Sequence, residues 1–245
     1  MNIETHINYN SMKSNNSLAG LFIMLGLVIS GAMFPVGISK LKSFERTVDV
    51  KGLCEKEVMA DKVIWPISHK AVSNDLNSVT DMIDYNNQAI IQFLKKNGVT
   101  DEEISVSIPK IIDRLAQDYV SDNRGFRYLG KSIITVYSKD VEKILKVMGK
   151  TDALVKKGIS INQEEWGQEP SFLYESLNDI KPEMIEEATA NARAAADKFA
   201  KDSGSNVGKI KTAMQGTFSI EDRDSCTPYM KKVRVVTYLT YYLNN

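Results

Sequence analysis

The chain has 245 residues, 43% of them hydrophobic and 25% charged, enough to bury one sizeable core or two small ones. Lys+Arg and Asp+Glu both total 31, so the formal net charge is zero. That balance argues against a nucleic-acid partner, which calls for a basic excess or stripe; the one cationic cluster, Lys231, Lys232 and Arg234, is short and reads as a solvated strand start.

Residues 1–17 are polar, rich in Asn and Ser and without apolar periodicity, the composition of a disordered tail. Leu18 to Ile38 (LAGLFIMLGLVISGAMFPVGI) then runs for 21 residues without a charge. As a helix it would measure about 31 Å, the thickness of a bilayer's hydrocarbon core. A buried helix of a soluble protein is rarely apolar round its whole circumference, so 18–38 reads as a transmembrane anchor, followed by a linker over 39–44. Ser30 and Ala32 form a small-x-small site for signal peptidase, but the preceding tail sets only Lys13 against Glu4, and the apolar run continues past the cut. An uncleaved anchor is the better reading. Lys40, Lys42, Arg46 and Lys51 follow the segment. The positive-inside rule would therefore hold the large domain in the cytoplasm, although that rule is weakest for large exported domains.

From residue 45 onward strand and helix patterns alternate. Arg46–Val58 places Val48 and Val50 on one face with charges between, a strand with Gly52 as a bulge candidate. Asp61–Val72 is a second strand, and Pro66 within it asks for an edge or a bulge because proline cannot donate to a ladder. Ser73–Asn97 is a helix: Asn74 or Asp75 can cap it, and Leu76, Val79, Ile83, Ile90 and Leu94 recur at helical spacing. Lys95 and Lys96 suit its C-terminal dipole, and Gly98 stops it. Glu103–Leu115 and Phe126–Tyr137 read as strands, Val141–Lys157 as a second helix, and Ile159–Glu164 and Phe172–Asn178 as short strands. The third helix starts with Pro182 at its first position, carries Glu183, Glu186 and Glu187 early and Lys198 and Lys201 late, and stops at Gly204. Seven alanines between Ala188 and Ala200 leave little side chain to keep a neighbour at a distance. Val207–Glu221 and the β-branched, aromatic Lys231–Leu243 close the chain as strands. Strands in adjacent pairs favour hairpins over parallel crossovers. The expected fold is α+β, an antiparallel β-sheet built from paired strands with about three packed helices, preceded by one N-terminal transmembrane helix.

Motifs with chemistry are few. Gly125 to Ser132 (GFRYLGKS) fits the phosphate-binding pattern G-x-x-x-x-G-K-[ST], which needs a strand before it and a helix after it. Here a polar turn precedes and β-branched SIITVY follows, so the stretch reads as a strand and no nucleotide is expected. His6 lies in the tail and His69 in a strand; with no HExxH or CxxC, no metal ligand set is legible. Glu221 to Asp224 lacks the glycine and terminal glutamate of a calcium loop. No G-x-S-x-G elbow occurs. No catalytic residue and no cofactor is expected. Trp166, Phe172 and Tyr174 cluster round Gly167 and Pro170, either as an interaction surface or as a loop folded onto the core. Cys54 and Cys226 are the only cysteines. Outside the cytoplasm they are candidates for a disulfide, which sequence spacing alone does not establish.

Three segments together resemble the SIMPL domain family of mostly bacterial envelope proteins: 46–67 (RTVDVKGLCEKEVMADKVIWPI), 172–222 with its alanine-rich helix followed by Gly-Ser-x-x-Gly, and 231–243 (KKVRVVTYLTYYL). The resemblance covers 45–245. It implies an α+β domain in the periplasm, secreted or held at the inner membrane, a tendency to self-assemble into homo-oligomers, links to envelope or oxidative stress, and no established enzymatic activity. It opposes the charge count on topology. The expected function is therefore a non-enzymatic, membrane-anchored envelope protein acting by assembly or protein interaction; the alternative is a module binding a small ligand between helices and sheet.

Overall fold

The computed structural model describes residues 12–43, 46–116, 125–162 and 167–244; within the first stretch, side chains are described for 18–33. A first helix, α1, runs Met12–Ser43 and so takes in part of the expected tail and linker. Its described side chains from Leu18 to Met33 are exposed all round the helix. Among the described residues no helix is long and apolar enough to cross a membrane; Leu18–Met33 amounts to about 24 Å of helix at 1.5 Å per residue. Leu18 is thus described, whereas the side chain of Ile38 lies outside the described residues.

Strands β1 (Thr47–Met59) and β2 (Lys62–Ser73) are followed by helix α2 (Leu76–Lys96), strands β3 (Ile104–Val106), β4 (Lys110–Asp113) and β5 (Tyr128–Ser138), and helices α3 (Val141–Met148) and α4 (Asp152–Val155). Strands β6 (Ile161–Asn162) and β7 (Ser171–Leu173), helix α5 (Leu177–Asp202), and strands β8 (Asn206–Gln215), β9 (Ser219–Asp222) and β10 (Met230–Asn244) complete the order. The class is α+β as expected, but the strands form two antiparallel sheets where one was expected. One sheet has the order β1-β10-β8, with β9 also on β10; the other has β3-β5-β2-β6, with β4 on β5 and β7 on β2. The chain divides into two compact units, residues 1–53, 187–216 and 236–245 in one and 54–186 with 217–235 in the other.

In the larger unit, β2 and β5 pair over eleven positions from Val63↔Ser138 to Ser73↔Tyr128. Strict alternation puts Val63, Trp65 and Ile67 of β2 and Ile134 and Val136 of β5 on one face, where Ile90 and Leu94 of α2 and Val141 and Ile144 of α3 complete the core. Helix α2 forms where expected because its ends are satisfied: the Asp75 carboxylate accepts from the Ser78 N–H at 2.8 Å, and Lys95 and Lys96 occupy the last turn. Pro66 lies between the stretches of β2 that pair with β7 (62–64) and β6 (68–69), so its missing N–H falls in a gap of that edge.

Several expected elements are broken in two. The strand over 103–115 opens with a 3-10 turn, Asp101–Glu103, and breaks at Ser107–Pro109, where proline cannot donate. The helix over 141–157 breaks at Gly149–Thr151. The strand over 207–221 breaks at 216–218. Helix α5 starts at Leu177, not at Pro182, which replaces the expected strand beyond Leu173. Pro182 lies inside the helix, where its ring cannot donate to the carbonyl of Asn178, an exposed residue.

In the smaller unit, α5 lies on the sheet through its alanines: Ala192 and Ala196 pack with Val50, Leu239 and Tyr241. Gly52 makes this approach feasible. A Cβ there would stand 1.7 Å from the Ala188 carbonyl oxygen and 2.7 Å from the Ala192 nitrogen. Gly52, a bulge candidate in the sequence, is the point where strand and helix backbones meet. The Asn191 amide donates to the Leu53 carbonyl at 2.9 Å beside it.

Candidate functional site

A polar cluster with a concave surface lies where β5 meets α3. Asp140 caps α3, accepting from the Lys143 N–H at 2.9 Å. Glu103 reaches the same place from the 3-10 turn, held by a capping box with Thr100. Its carboxylate accepts from Ser138 Oγ at 2.5 Å, from Lys143 Nζ at 2.9 and 3.0 Å, and from the Thr100 N–H at 2.9 Å. Burial pushes the Glu103 carboxyl upward, but the Ser138, Thr100 and Lys143 donors outweigh it and hold the group at about 2. A carboxylate this fully donated to stays ionised and clasps the turn to the helix; it has no proton to give at neutral pH. The concavity beside it, about 420 Å³, is lined by Tyr137, Lys139 and Glu102 as well, and a neighbouring one of about 300 Å³ by Lys146 and Lys150. Both linings are charged, unlike the apolar pocket with a few convergent polar groups that a small-ligand module would present.

His69 is fully buried on β2. Its Nε2 lies 2.9 Å from Asn87 Oδ1, the acceptor that also takes the Ser132 hydroxyl at 2.9 Å. The oxygen accepts from both, so Nε2 carries the proton, and Nδ1 is left without a partner. Burial lowers the His69 pKa, against a smaller opposing effect of Asn87, and keeps the ring neutral. With no exposed surface it reaches no substrate. The P-loop-like stretch is strand where it is regular: β5 begins at Tyr128, Lys131 lies opposite Lys70, and Gly130 faces Ile83 and Val79 of α2. The strand–loop–helix context that would cradle a phosphate is absent from it.

The aromatic group separates. Trp166 lies outside the described residues. Phe172 is buried in the core, its ring edge-on to Tyr229 at 6.0 Å, so it serves packing and not an exposed surface. Tyr174 is half-buried and donates to the Ser176 carbonyl at 3.3 Å; burial, then the Asp61 and Asp179 charges, raise its pKa. Asp61 fixes this loop by accepting from the Glu175 N–H at 2.9 Å and the Ser176 N–H at 2.7 Å. Those bonds lower its pKa although burial acts the other way. Cys54 is buried and Cys226 exposed, and no disulfide joins them. The acidic turn is used internally: Asp224 accepts from the Cys226 and Thr227 N–H groups at 2.9 and 2.7 Å and from Arg223, and Asp222 pairs with Lys231. Among the described residues no group of three ligating side chains could hold a metal ion.

Sequence reading missed the Glu103 clasp, although Thr100-x-x-Glu103 is a capping-box signature; the region was read as strand. It also missed how the strand edges end, because that depends on register. Among the described residues β8 is an edge strand, with Ile210 and Met214 48% and 68% exposed. Its ladder with β10 is regular from Thr212 to Gln215 and shifts between there and Asn206.

The described residues form two antiparallel sheets, one of them covered by an alanine-faced helix, an α+β architecture. Residues 48–235 match the family model SIMPL, a protein of unknown function (DUF541). The chain belongs to the SIMPL family. No curated protein matches it.

Proposed function

We propose that this chain is a non-enzymatic envelope protein, anchored in the bacterial inner membrane by 18–38 with its domain in the periplasm, which acts through self-assembly in envelope or oxidative stress. The observation that carries assembly is the outer edge of β8. The Gly216 N–H donates to the Val236 carbonyl at 2.8 Å, so by alternation Ala213 and Gln215 turn their N–H and C=O groups away from β10. Such an edge pairs readily with another strand, here that of a second copy. Ala213→Pro removes one outward donor without touching the β10 ladder, as proline is tolerated at an edge. The full chain in detergent is expected to scatter light as an oligomer and the Ala213→Pro variant as a monomer with an unchanged circular-dichroism spectrum. A monomeric unsubstituted chain would end the assembly reading.

Anchoring draws support from α1, whose apolar side chains from Leu18 to Met33 are exposed round the whole helix, a surface that water does not tolerate at this size. Cys226 reports the topology because it is exposed while Cys54 is 2% exposed. A membrane-impermeant maleimide is expected to label Cys226 on intact spheroplasts. Labelling only after lysis would place the domain in the cytoplasm and remove the envelope role.

A further inference from the structure

Helix α2 ends on Asn97-Gly98, the one Asn-Gly pair in the sequence. Gly98 takes φ 87°, the left-handed conformation that favours a residue without a Cβ, and turns the chain off the helix. The Gly98 N–H donates to the Lys95 carbonyl at 3.0 Å and the Val99 N–H to the Leu94 carbonyl at 3.1 Å, the paired bonds of a Schellman turn. Val99, buried in the same core cluster as Leu94, pins that turn.

A glycine after an asparagine leaves its backbone nitrogen free to attack the asparagine side chain, because no Cβ crowds the approach. The Gly98 nitrogen would bond to Asn97 Cγ and give up its proton, the Cγ–Nδ2 bond would break, and Nδ2 would leave as ammonia. Water then opens the cyclic succinimide at either carbonyl, giving aspartate or isoaspartate, with no oxidant or cofactor needed. The folded turn opposes each part of this step. Asn97 has φ −96° and ψ 14°, which brings the Gly98 nitrogen almost into line with Asn97's own nitrogen and away from the side where Cβ and Cγ stand. The attacking N–H is already bonded to Lys95. The leaving Nδ2 donates to the Phe93 carbonyl at 2.9 Å, and Oδ1 accepts from Lys150 Nζ at 3.1 Å.

We propose that Asn97-Gly98 is a site of spontaneous deamidation which the Schellman turn holds shut, so that the modification marks chains whose α2 end has opened. Once made, it resists reversal of the opening. A carboxylate at position 97 stands at the negative end of the α2 dipole and has lost the Nδ2 donor to Phe93, and isoaspartate also adds a carbon to the main chain of the turn. The inference is independent of whether α1 spans a membrane, and of β8.

The test incubates the full chain in detergent at mildly alkaline pH in water labelled with oxygen-18, with and without concentrated urea. Trypsin then releases residues 97–110, in which Asn97 is the only amide side chain, so a mass gain in that peptide locates the event. The gain is expected about thirty-fold slower in buffer than in urea, the factor set by two hydrogen bonds of ordinary strength that must first break. Val99→Ser removes the apolar anchor of the turn and is expected to bring the rate in buffer towards the rate in urea. Should that variant unfold, Lys150→Ala, which frees Oδ1 alone, is expected to raise the rate about fivefold with an unchanged circular-dichroism spectrum. Equal rates in buffer and urea overturn the proposal. So does the absence of any gain in urea, or a rate in buffer that neither substitution raises.

Discussion

Replacing Gly52 by alanine is expected to cost the folded chain more than about 3 kcal/mol, at or beyond the upper end of ordinary overpacking. The added Cβ would lie 1.7 Å from the Ala188 carbonyl oxygen, and the obstacle is helix backbone, which has no rotamer to change. Either α5 lifts from β1, exposing Ala192 and Ala196 that are now fully buried, or β1 bends and loses its pairing. Both routes surrender apolar burial at about 25 cal/mol per Å² as well as contacts. For a chain of this length the loss corresponds to a fall in the unfolding midpoint of roughly 6–12 °C. Gly125→Ala, which meets open space, is the control and is expected within about 0.5 kcal/mol of the unsubstituted chain. Thermal unfolding of both variants decides the matter. A Gly52→Ala midpoint equal to the control would mean that the strand and the alanine stripe do not make this contact.

Stability should also fall as pH drops below neutrality, and His69 is the reason. Burial holds its pKa below the ordinary value of 6.5, so over the interval from that value down to the folded one the unfolded chain binds a proton that the folded chain does not. Stability therefore rises with pH across this window, by at most about 1.4 kcal/mol per pH unit. The contribution is fully present above the unfolded value and disappears on acidification. Protonation would place a charge beside Asn87 and leave a second buried N–H at Nδ1 with no acceptor. Glu103 acts in the same direction but lower: its stabilisation is present above the ordinary 4.5 and is lost as pH falls through about 2. Denaturant unfolding between pH 7.5 and 5.5 separates the two. His69→Gln, which can still donate to Asn87, is expected to flatten the slope in that range. An unchanged slope would assign it elsewhere.

Local chemistry was legible in the sequence wherever a signal is carried by neighbouring residues. The Asp75 cap, the apolar spacing of α2, the alternation in β2 and β5, and the β-branched run after Gly130 placed those elements and removed the phosphate-loop reading before any coordinates. Gly52 and the alanines of α5 were each noticeable, yet their meeting was not. They lie well over a hundred residues apart, and only the fold brings the missing Cβ onto the missing side chains. Breaks inside elements escaped for a related reason. Pro109 and Gly149 interrupt patterns that hydrophobic spacing alone carries straight through. Helix α5 begins before Pro182, at Leu177, although proline is the usual mark of a first turn.

The sequence by itself determined the family, the α+β class and the apolar segment 18–38, because each is written in composition, periodicity or local motif. Tertiary structure decided that the strands form two sheets, that Phe172 packs inside, that His69 is sealed against Asn87, and that Lys110 sits on a broken edge. Each of these follows from register and long-range pairing, where one residue's slip turns every side chain to the other face. Such pairing is set by the sum of many weak contacts, and no single stretch of sequence carries it.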